Sequence, residues 1–345
     1  MSVFTRFDFE NDVVENQRTK VSSGIFSGGS GTLATFYTAS ALGDVSGSYY
    51  AVYNKVTSDS TSEIQFDIGY ANHGGSGSAG NTTKLTSGGR QTAGMYRQFR
   101  NVLLSPNTEK FTFTSAPSAS NDFYFISFNR ARMREKIDPG NWELRIGGMA
   151  NSDALRLIDD SDATTNSSVA KGTTYFNIVT GSISSGVASY KLDGTAKQYY
   201  GRFYPYLGVY YLDASKLDLN SGATQKGVSI ATAGSTNADD ANSLKLFNKL
   251  NTTGGYFQAR REEDIKSTHY FCRVKNSRYN FSQNPTYYTG SGELTNPTFT
   301  TDPRTYITTV GLYNANSELL AVAKLSKPFL KTPAREAVIK VRLDF

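Results

Sequence analysis

The sequence predicts a mainly β, multidomain protein built of antiparallel sandwich-like or barrel-like domains, with one or two short helices. Its apolar content is weighted towards 22 Tyr and 21 Phe, and it is rich in Gly, Ser, Thr and Asn. Aromatic residues suit half-buried pleated surfaces, and small polar residues suit the turns between strands. The chain of 345 residues also exceeds the roughly 250 to 300 at which a single core stops growing.

Alternation of apolar and polar residues marks the strands. At 63–70, Ile64, Phe66, Ile68 and Tyr70 fall on one face and polar residues on the other, which predicts a half-buried antiparallel strand. Other short runs bounded by turn-forming residues predict strands at 48–53, 110–114, 122–128, 141–146 and 207–212. Many short strands are typical of sandwiches and barrels.

The C-terminal part reads as a meander. Strands at 306–313 and 318–325 flank the turn-forming Asn314-Ala-Asn-Ser317, a common hairpin length. The last residues alternate again, with Ile339, Val341, Leu343 and Phe345 on one face. We therefore expect a three-stranded structural or docking module over 306–345.

One segment, 239–250, predicts a helix, because Ala241, Leu244, Phe247 and Leu250 recur at three-residue spacing. Long polar loops are predicted at 24–31, 73–89 and 151–174, and loops of such length tend to bind partners. The expected domains are an N-terminal β domain (1–95), a central β domain with the helix (96–255) and a C-terminal β meander domain (256–345).

Composition narrows the classes of protein. Lys and Arg outnumber Asp and Glu by 36 to 30, which indicates either ordinary solvated charge or a basic patch for nucleic acid or an acidic partner. The single cysteine, Cys272, allows no internal disulfide. Charges near the N-terminus predict no signal peptide, and no run approaches the roughly 18 apolar residues of a membrane span. We expect synthesis in the cytoplasm.

The sequence predicts no catalytic, cofactor or metal site. The only histidines are His73, in a Gly/Ser-rich loop, and His269, which lies three residues from Cys272 on an expected strand and hence on its opposite face. The Gly-rich loops lack the GxxxxGK[ST] spacing. The Asp pairs at 159–160 and 239–240 read as turn or cap residues rather than calcium ligands. A carboxylate pair for glycoside hydrolysis stays open, because its members can come from anywhere in a β fold.

The most distinctive motif places Arg130, Arg132 and Arg134 on one face if the preceding strand continues. Such a stripe of guanidinium groups can bind carboxylates in bidentate fashion. It indicates a solvated edge strand, a contact to a neighbouring subunit or, with weaker support, nucleic acid. The turn at 138–141 then leads to the only tryptophan. The residues predicted to form interfaces are Arg130, Arg132, Arg134, Trp142, Tyr306, Tyr313 and Phe345.

Three runs carry a resemblance to a known group. They are Tyr270-Phe-Cys-Arg-Val-Lys-Asn-Ser-Arg-Tyr-Asn-Phe-Ser-Gln-Asn-Pro285, Thr305-Tyr-Ile-Thr-Thr-Val-Gly-Leu-Tyr-Asn314 and Glu318-Leu-Leu-Ala-Val-Ala-Lys-Leu-Ser-Lys-Pro328. They resemble virion structural proteins of contractile-tailed bacteriophages, in particular baseplate wedge proteins, and Ile137-Asp-Pro-Gly-Asn-Trp142 is similar to the same group.

The resemblance covers about a third of the chain and brings no active site with it. It implies a non-enzymatic component of the virion tail or baseplate that joins other tail proteins, with a homo-oligomer such as a dimer within the assembly. From the absence of a spanning apolar run we expect no membrane partner.

Rival functions also stay open. A receptor-binding or carbohydrate-binding tail protein would use aromatic residues such as Tyr49, Tyr50, Tyr199 and Tyr200 to line a sugar surface, although a strand-rich core also accounts for them. A neck or capsid-associated structural protein and a glycan hydrolase are rival functions too.

Overall fold

The computed structural model describes residues 4–38, 49–77, 90–113, 119–147, 155–162, 168–170, 173–184, 186–193, 196–217, 228 and 241–344. The protein is 46% strand and 15% helix. The strand pairs are antiparallel and the helices are short. The predicted all-β, multidomain class is therefore confirmed, although the described residues contain five short α-helices instead of one or two.

The helices are α1 (Phe9–Asp12), α2 (Gln91–Leu103), α3 (Arg130–Met133), α4 (Ala214–Leu217) and α5 (Ala241–Leu250). The strands are β1 (Val13–Gly24), β2 (Thr32–Leu33), β3 (Tyr37–Thr38), β4 (Tyr49–Tyr53), β5 (Ile64–Asn72), β6 (Asp122–Ser127), β7 (Lys136–Ile137), β8 (Glu143–Arg145), β9 (Arg156–Asp159), β10 (Ser168–Ala170), β11 (Thr173–Ser184), β12 (Val187–Tyr190), β13 (Leu192–Asp193), β14 (Ala196–Lys197), β15 (Tyr199–Tyr204), β16 (Val209–Asp213), β17 (Tyr256–Gln258), β18 (Arg260–Val274), β19 (Thr305–Tyr313), β20 (Leu319–Lys331) and β21 (Ala337–Asp344).

The chain forms two compact units. The larger unit is Val21–Glu263, and the smaller unit combines Met1–Lys20 with Asp264–Phe345. The division within β18 lies close to the boundary expected near residue 255, whereas the other division falls within β1 and none falls near residue 95. Residue 95 lies inside α2, which packs on β5, so a domain boundary there would cut a helix from the sheet that it covers.

A thirteen-stranded antiparallel sheet organises the larger unit. Eleven strands follow one another in the order β2-β17-β8-β9-β11-β15-β16-β6-β5-β4-β3, and β10 and β12 also pair with β11. The predicted strands at 48–53, 63–70, 122–128, 141–146 and 207–212 all overlap members of this sheet. The one predicted at 110–114 does not: Phe111 forms only an isolated bridge with Ser120.

The central strands are buried on both faces, which the alternation at 63–70 did not predict. On β6, Tyr124 and Ile126 belong to one apolar cluster, and Phe123 and Phe125 belong to another. The same division occurs on β16. Since both faces carry apolar residues, the sheet must be covered on both sides. Helix α5 contributes Leu246 to the first cluster, and α2 contributes residues of its own to the second.

Helix α5 confirms the prediction at 239–250 for residues 241–250; its expected start at Asp239 or Asp240 lies outside the described residues. Helix α2 was not predicted. Its buried side chains include Ala93, Tyr96 and Leu103, which recur at helical spacing. Gly94 weakens this signal, because glycine costs about 1 kcal/mol relative to alanine inside a helix.

Trp142 lies in the core, so its predicted role in an interface is wrong. It is fully buried, and its ring meets those of Phe203 and Tyr210 at centroid distances of 5.3 and 4.6 Å. Edge-on pairs of this kind stabilise a core beyond the area that they bury. The tryptophan consequently reports on the integrity of the larger unit.

The prediction of a three-stranded C-terminal meander is also wrong. The hairpin of β19 and β20 is a two-stranded sheet of its own, and β21 pairs with β18 in the register Tyr270↔Val341 and Cys272↔Ile339. An alternating pattern specifies that a strand has one buried face, but it does not specify which strand is its neighbour. The prediction that the last strand pairs with the strand nearest to it in sequence was therefore wrong.

Asp159 fixes the predicted turn at 138–141. Its carboxylate accepts hydrogen bonds from the Gly140 amide at 3.0 and 2.9 Å and from the amide and hydroxyl of Ser161. Gly140 has a φ of 76°, which favours glycine. Burial raises the pKa of Asp159 to about 6, although these hydrogen bonds oppose the shift.

We expect the stability of the larger unit to depend on Asp159 between pH 4 and 6. The folded pKa is about 6 and the ordinary value is 3.8, so the folded state holds a proton that the unfolded state has lost. The stabilisation from this extra proton is fully present below the pKa of the unfolded state. It is lost as pH rises towards and through the pKa of the folded state, by up to about 1.4 kcal/mol per pH unit. Urea unfolding followed by Trp142 fluorescence measures it.

The control is Asp159→Asn, which cannot titrate. The hydrogen bonds that the variant loses change its free energy of unfolding by an amount that does not depend on pH. The free energy of unfolding of the parent minus that of the variant should therefore fall as pH rises from about 4.5 to about 6.5. A difference that stays constant or rises would contradict the raised pKa.

Candidate docking surface on the hairpin of the smaller unit

The hairpin of β19 and β20 is closed by the predicted turn. Asn314 Oδ1 accepts hydrogen bonds from the amides of Asn316 and Glu318, at 3.0 and 2.8 Å. Ser317 adopts a φ of 65° and donates its amide to the Asn314 carbonyl. Asn side chains stabilise turns through bonds of this kind, and the local sequence therefore fixes this end of the hairpin.

The two faces of the hairpin differ in exposure. On one face Leu312, paired with Ala321, is only 7% exposed. On the other, Gly311 pairs with Val322, which is 57% exposed. At the turn end, Tyr313 pairs with Leu319 across a bulge. The second face is thus apolar and open to solvent at its turn end, whereas the next pair on this face, Thr309 and Lys324, is polar.

Gly311 allows this face to be flat. A Cβ at Gly311 would lie 2.9 Å from the Tyr313 ring and 3.2 Å from Leu319, so the absence of a side chain lets both groups lie over the backbone. The Phe4 ring packs edge-on against Tyr313 at 4.9 Å. We call the exposed apolar set at the turn end the hairpin patch: Phe4, Tyr313, Leu319, Leu320 and Val322.

The edges of the hairpin are unequal. Among the described residues neither strand pairs with a further strand. The β20 edge carries Lys324, Lys327 and Pro328, whereas β19 has no charged residue from Thr305 to Tyr313. Lysine and proline protect a sheet edge against further pairing. The unprotected edge is therefore β19.

A buried lysine holds the base of the hairpin. The Lys331 ammonium donates to the Asn276 carbonyl at 2.9 Å, to Asn280 Oδ1 at 2.7 Å and to the Thr332 carbonyl at 2.8 Å. All three protons are thus bound by neutral oxygens, and burial lowers the pKa of Lys331. These bonds tie the segment after β18 to the end of β20, which a two-stranded sheet needs because it is marginal alone.

The predicted arginine stripe does not form. The chain leaves the strand after Ser127 and turns into α3, where Asn129 caps the helix by accepting from the Ala131 amide. Arg134 follows with a φ of 57°. The expected strand is interrupted because the capping asparagine starts a helical turn, so the three side chains do not share one face of a strand.

Two of these arginines bind carboxylates within the same unit. Arg132 contacts Glu63 at 2.9 Å, and Arg134 binds both oxygens of Glu263 at 2.8 and 3.0 Å. Arg130 is exposed. At Arg134 a single nitrogen, Nη1, donates to both oxygens, so the predicted bidentate contact through two nitrogens is not seen, and the carboxylate belongs to the same unit. A contact of Arg130 to another subunit stays a prediction.

The first Gly-rich loop, 24–31, borders a shallow cleft of about 460 Å³ that is also lined by Arg132, Glu63 and Arg261. The polar groups of the cleft bind one another. The Ser27 hydroxyl and the Arg132 guanidinium both contact Glu63 and hold the pKa of that carboxyl below its usual range, with the hydroxyl as the larger cause. Of the other two predicted loops, 73–89 lies mostly outside the described residues. The prediction of a single long loop at 151–174 is wrong, because β9, β10 and the start of β11 fall within it.

Of the remaining predicted interface residues, Tyr306 is 59% exposed and Tyr313 is 45% exposed, as a docking role requires. Phe345 lies outside the described residues. Phe4, Leu319, Leu320 and Val322 were not singled out from sequence. The sequence did contain a signal for this exposed surface. Leu319, Leu320 and Val322 do not follow the strict alternation expected of a strand with one buried face.

The histidines and acids do not form a recognisable catalytic set within the described residues. His73 lies edge-on to Tyr96, while His269 is buried in β18, where burial lowers its pKa. Asp122 and Asp213 share Ser215 as a hydrogen-bond donor. The Ser215 hydroxyl donates to Asp122 and its amide donates to Asp213. These bonds fix the start of α4. That the chain is not an enzyme stays a prediction.

No group of three or more potential metal-ligating side chains occurs in the part of the chain that the structure describes. None of the described helices is long and apolar enough to cross a membrane. The chain matches no family model, no curated protein and no solved structure.

We expect Lys331→Met to loosen the hairpin. The substitution keeps the length of the side chain but removes three hydrogen bonds and leaves carbonyl oxygens without a donor, a loss of about 2 to 3 kcal/mol. Hydrogen exchange of the β19 and β20 amides should accelerate about thirty-fold or more. Lys324→Met, on the exposed part of β20, is the matched control and should leave exchange unchanged. Equal exchange in both variants would contradict the anchoring role.

Proposed function

We propose that this chain is a structural component of a bacteriophage tail, a baseplate wedge subunit that joins other tail proteins through its smaller unit. The position in the tail rests on the resemblance of residues 270–285, 305–314 and 318–328 to virion structural proteins. The role in assembly is supported separately by the small number of apolar side chains that the smaller unit buries.

The smaller unit has very little core. Among its described residues only Val13, Val274, Leu312 and Val341 are buried apolar side chains, although the unit spans Met1–Lys20 and Asp264–Phe345. The larger unit buries more than ten times as many. A domain of about 100 residues is ordinarily stabilised by a substantial core. A unit with so few buried apolar groups is expected to gain stability from partners.

The exposed side chains agree with this expectation. Eleven large apolar side chains are exposed in the described part of the smaller unit, against eight in that of the much longer larger unit. Five of the eleven form the hairpin patch. Contiguous exposed apolar surface marks protein interfaces, and a stable contact between wedge subunits would bury roughly 1,000 Å² or more. The hairpin patch supplies the apolar centre of such a contact.

Residues 264–345 also favour a partner of complementary charge. They contain eleven Lys and Arg against six Asp and Glu. A net positive charge speeds association with an acidic surface and discriminates against basic ones. The proposed neighbour therefore presents an apolar surface and carries a net negative charge.

Labelling of phage particles tests the position in the virion. An antibody to this chain, with gold detection, should label the distal end of the tail in both intact and contracted particles. Label on the head or the neck would overturn the baseplate position and favour a neck or capsid-associated protein. Label on extended fibres would favour a receptor-binding protein.

Substitution of the hairpin patch tests the docking surface. We expect Leu320→Ser combined with Val322→Ser to reduce incorporation into particles, because two apolar side chains that become buried in the contact contribute about 1.5 to 3 kcal/mol each. Val187→Ser is the control, since Val187 is 67% exposed and lies in the larger unit. Quantitative immunoblotting of purified particles gives the readout. Incorporation of the hairpin variant at the control level would overturn the role of the patch.

A further inference from the structure

The segment 275–304 joins β18 to β19 without an α-helix or a strand. It contains a short 3-10 helix, Pro297–Thr300, and an isolated bridge between Tyr288 and Leu294. None of its residues is buried. Loops of this length inside a folded unit are uncommon and are usually functional.

Four aromatic rings organise this segment in place of a core. Phe281 meets Tyr287 edge-on at 5.2 Å and lies nearly parallel to Tyr288 at 6.2 Å. Tyr287 in turn stacks on Phe299 at 5.4 Å with an interplanar angle of 25°. We call Phe281, Tyr287, Tyr288 and Phe299 the aromatic platform. Phe281 is its most exposed member, at 59%.

Hydrogen bonds hold the platform in place. The Tyr287 amide donates to the Asn284 carbonyl at 2.8 Å, and the Thr295 amide donates to the Tyr287 carbonyl at 3.1 Å. Asn280, next to Phe281, accepts from the buried Lys331. The exposed ring is therefore presented by a backbone fixed on both sides, and a preorganised surface loses little entropy when it binds a ligand.

The chemistry around Phe281 selects the ligand. The run Tyr279-Asn-Phe-Ser-Gln-Asn-Pro-Thr-Tyr-Tyr-Thr289 contains aromatic, amide and hydroxyl side chains, with a proline, but no aliphatic Leu, Ile, Val or Met and no charge. The hairpin patch, by contrast, contains three aliphatic side chains and lies in a strand pair with lysines. The two surfaces of the smaller unit are thus suited to different partners.

We propose that the aromatic platform binds a neutral oligosaccharide, with one pyranose ring stacked on Phe281. A pyranose with equatorial hydroxyls has an apolar face of C–H groups and a rim of hydroxyl groups. The flat aromatic ring complements the face, and neutral amides and hydroxyls can donate to and accept from the rim. Beside Phe281, the Ser282 hydroxyl oxygen accepts from the Asn284 amide and Asn284 Oδ1 accepts from the Thr286 amide, so the Ser282 O–H and the Asn284 side-chain NH2 are the groups oriented to donate to the rim. A charged ligand gains no ion pair within the run 279–289.

This inference does not depend on the proposed tail position or on the hairpin patch. The platform residues lie in 281–299, whereas the hairpin patch consists of Phe4 and residues 313–322. A variant of one surface leaves the other intact. Failure of either proposal can therefore be recognised without reference to the other.

Saturation-transfer NMR on the full chain tests the platform, with cellotriose and chitotriose as probes. We expect transfer to at least one of them with a Kd of about 1 mM, since a single stacked ring and a few hydrogen bonds support weak binding. Phe281→Ala and Phe281→Leu should both weaken binding at least tenfold. The leucine variant keeps an apolar side chain, so its loss of binding separates the aromatic face from general hydrophobicity.

Phe281→Tyr should retain binding because it keeps the ring. Phe9→Ala is the matched control, because Phe9 is 71% exposed and lies outside the segment, and it should also bind as the parent does. The absence of transfer to both sugars, or equal transfer in the parent and in Phe281→Ala and Phe281→Leu, would overturn the proposal.

Discussion

The burial of the central sheet on both faces is the constraint on which the rest of the structure depends. Tyr124 and Phe125 are neighbours on β6, yet they belong to clusters on opposite sides of the sheet. Each cluster needs a cover, and the helices α5 and α2 contribute to the two covers. Because nearly all the buried apolar residues serve this arrangement, the larger unit has a substantial core of its own and the smaller one buries very little.

The smaller unit compensates with specific polar anchors and ring contacts. Lys331 ties the base of the hairpin to the segment after β18 through three hydrogen bonds, and the aromatic platform orders 275–304. Such interactions fix a backbone with little buried apolar area, but their net contribution to stability is modest. They leave apolar side chains at the surface, where partners can use them. Both proposed binding surfaces follow from this division.

The arginine motif and the tryptophan show how local patterns misplace candidate residues. The expected stripe assumed that a strand continued beyond Ser127, but the Asn129 cap starts α3 and separates the three guanidinium groups. Trp142 lies next to a turn and still belongs to the core, because Tyr210 and Phe203 from distant strands surround it. Exposure depends on contacts between segments that are remote in sequence.

The sequence by itself determined the mainly β class, the positions of most strands, the 241–250 helix and the turns at 138–141 and 314–317, because alternation, helical spacing and turn-forming residues are local signals. It also identified Tyr306 and Tyr313 in the exposed hairpin. Only the tertiary structure decided that β21 pairs with β18, that the sheet has two covered faces and that the hairpin patch lies open. Pairing partners and burial are set by packing between distant segments, which no local pattern encodes.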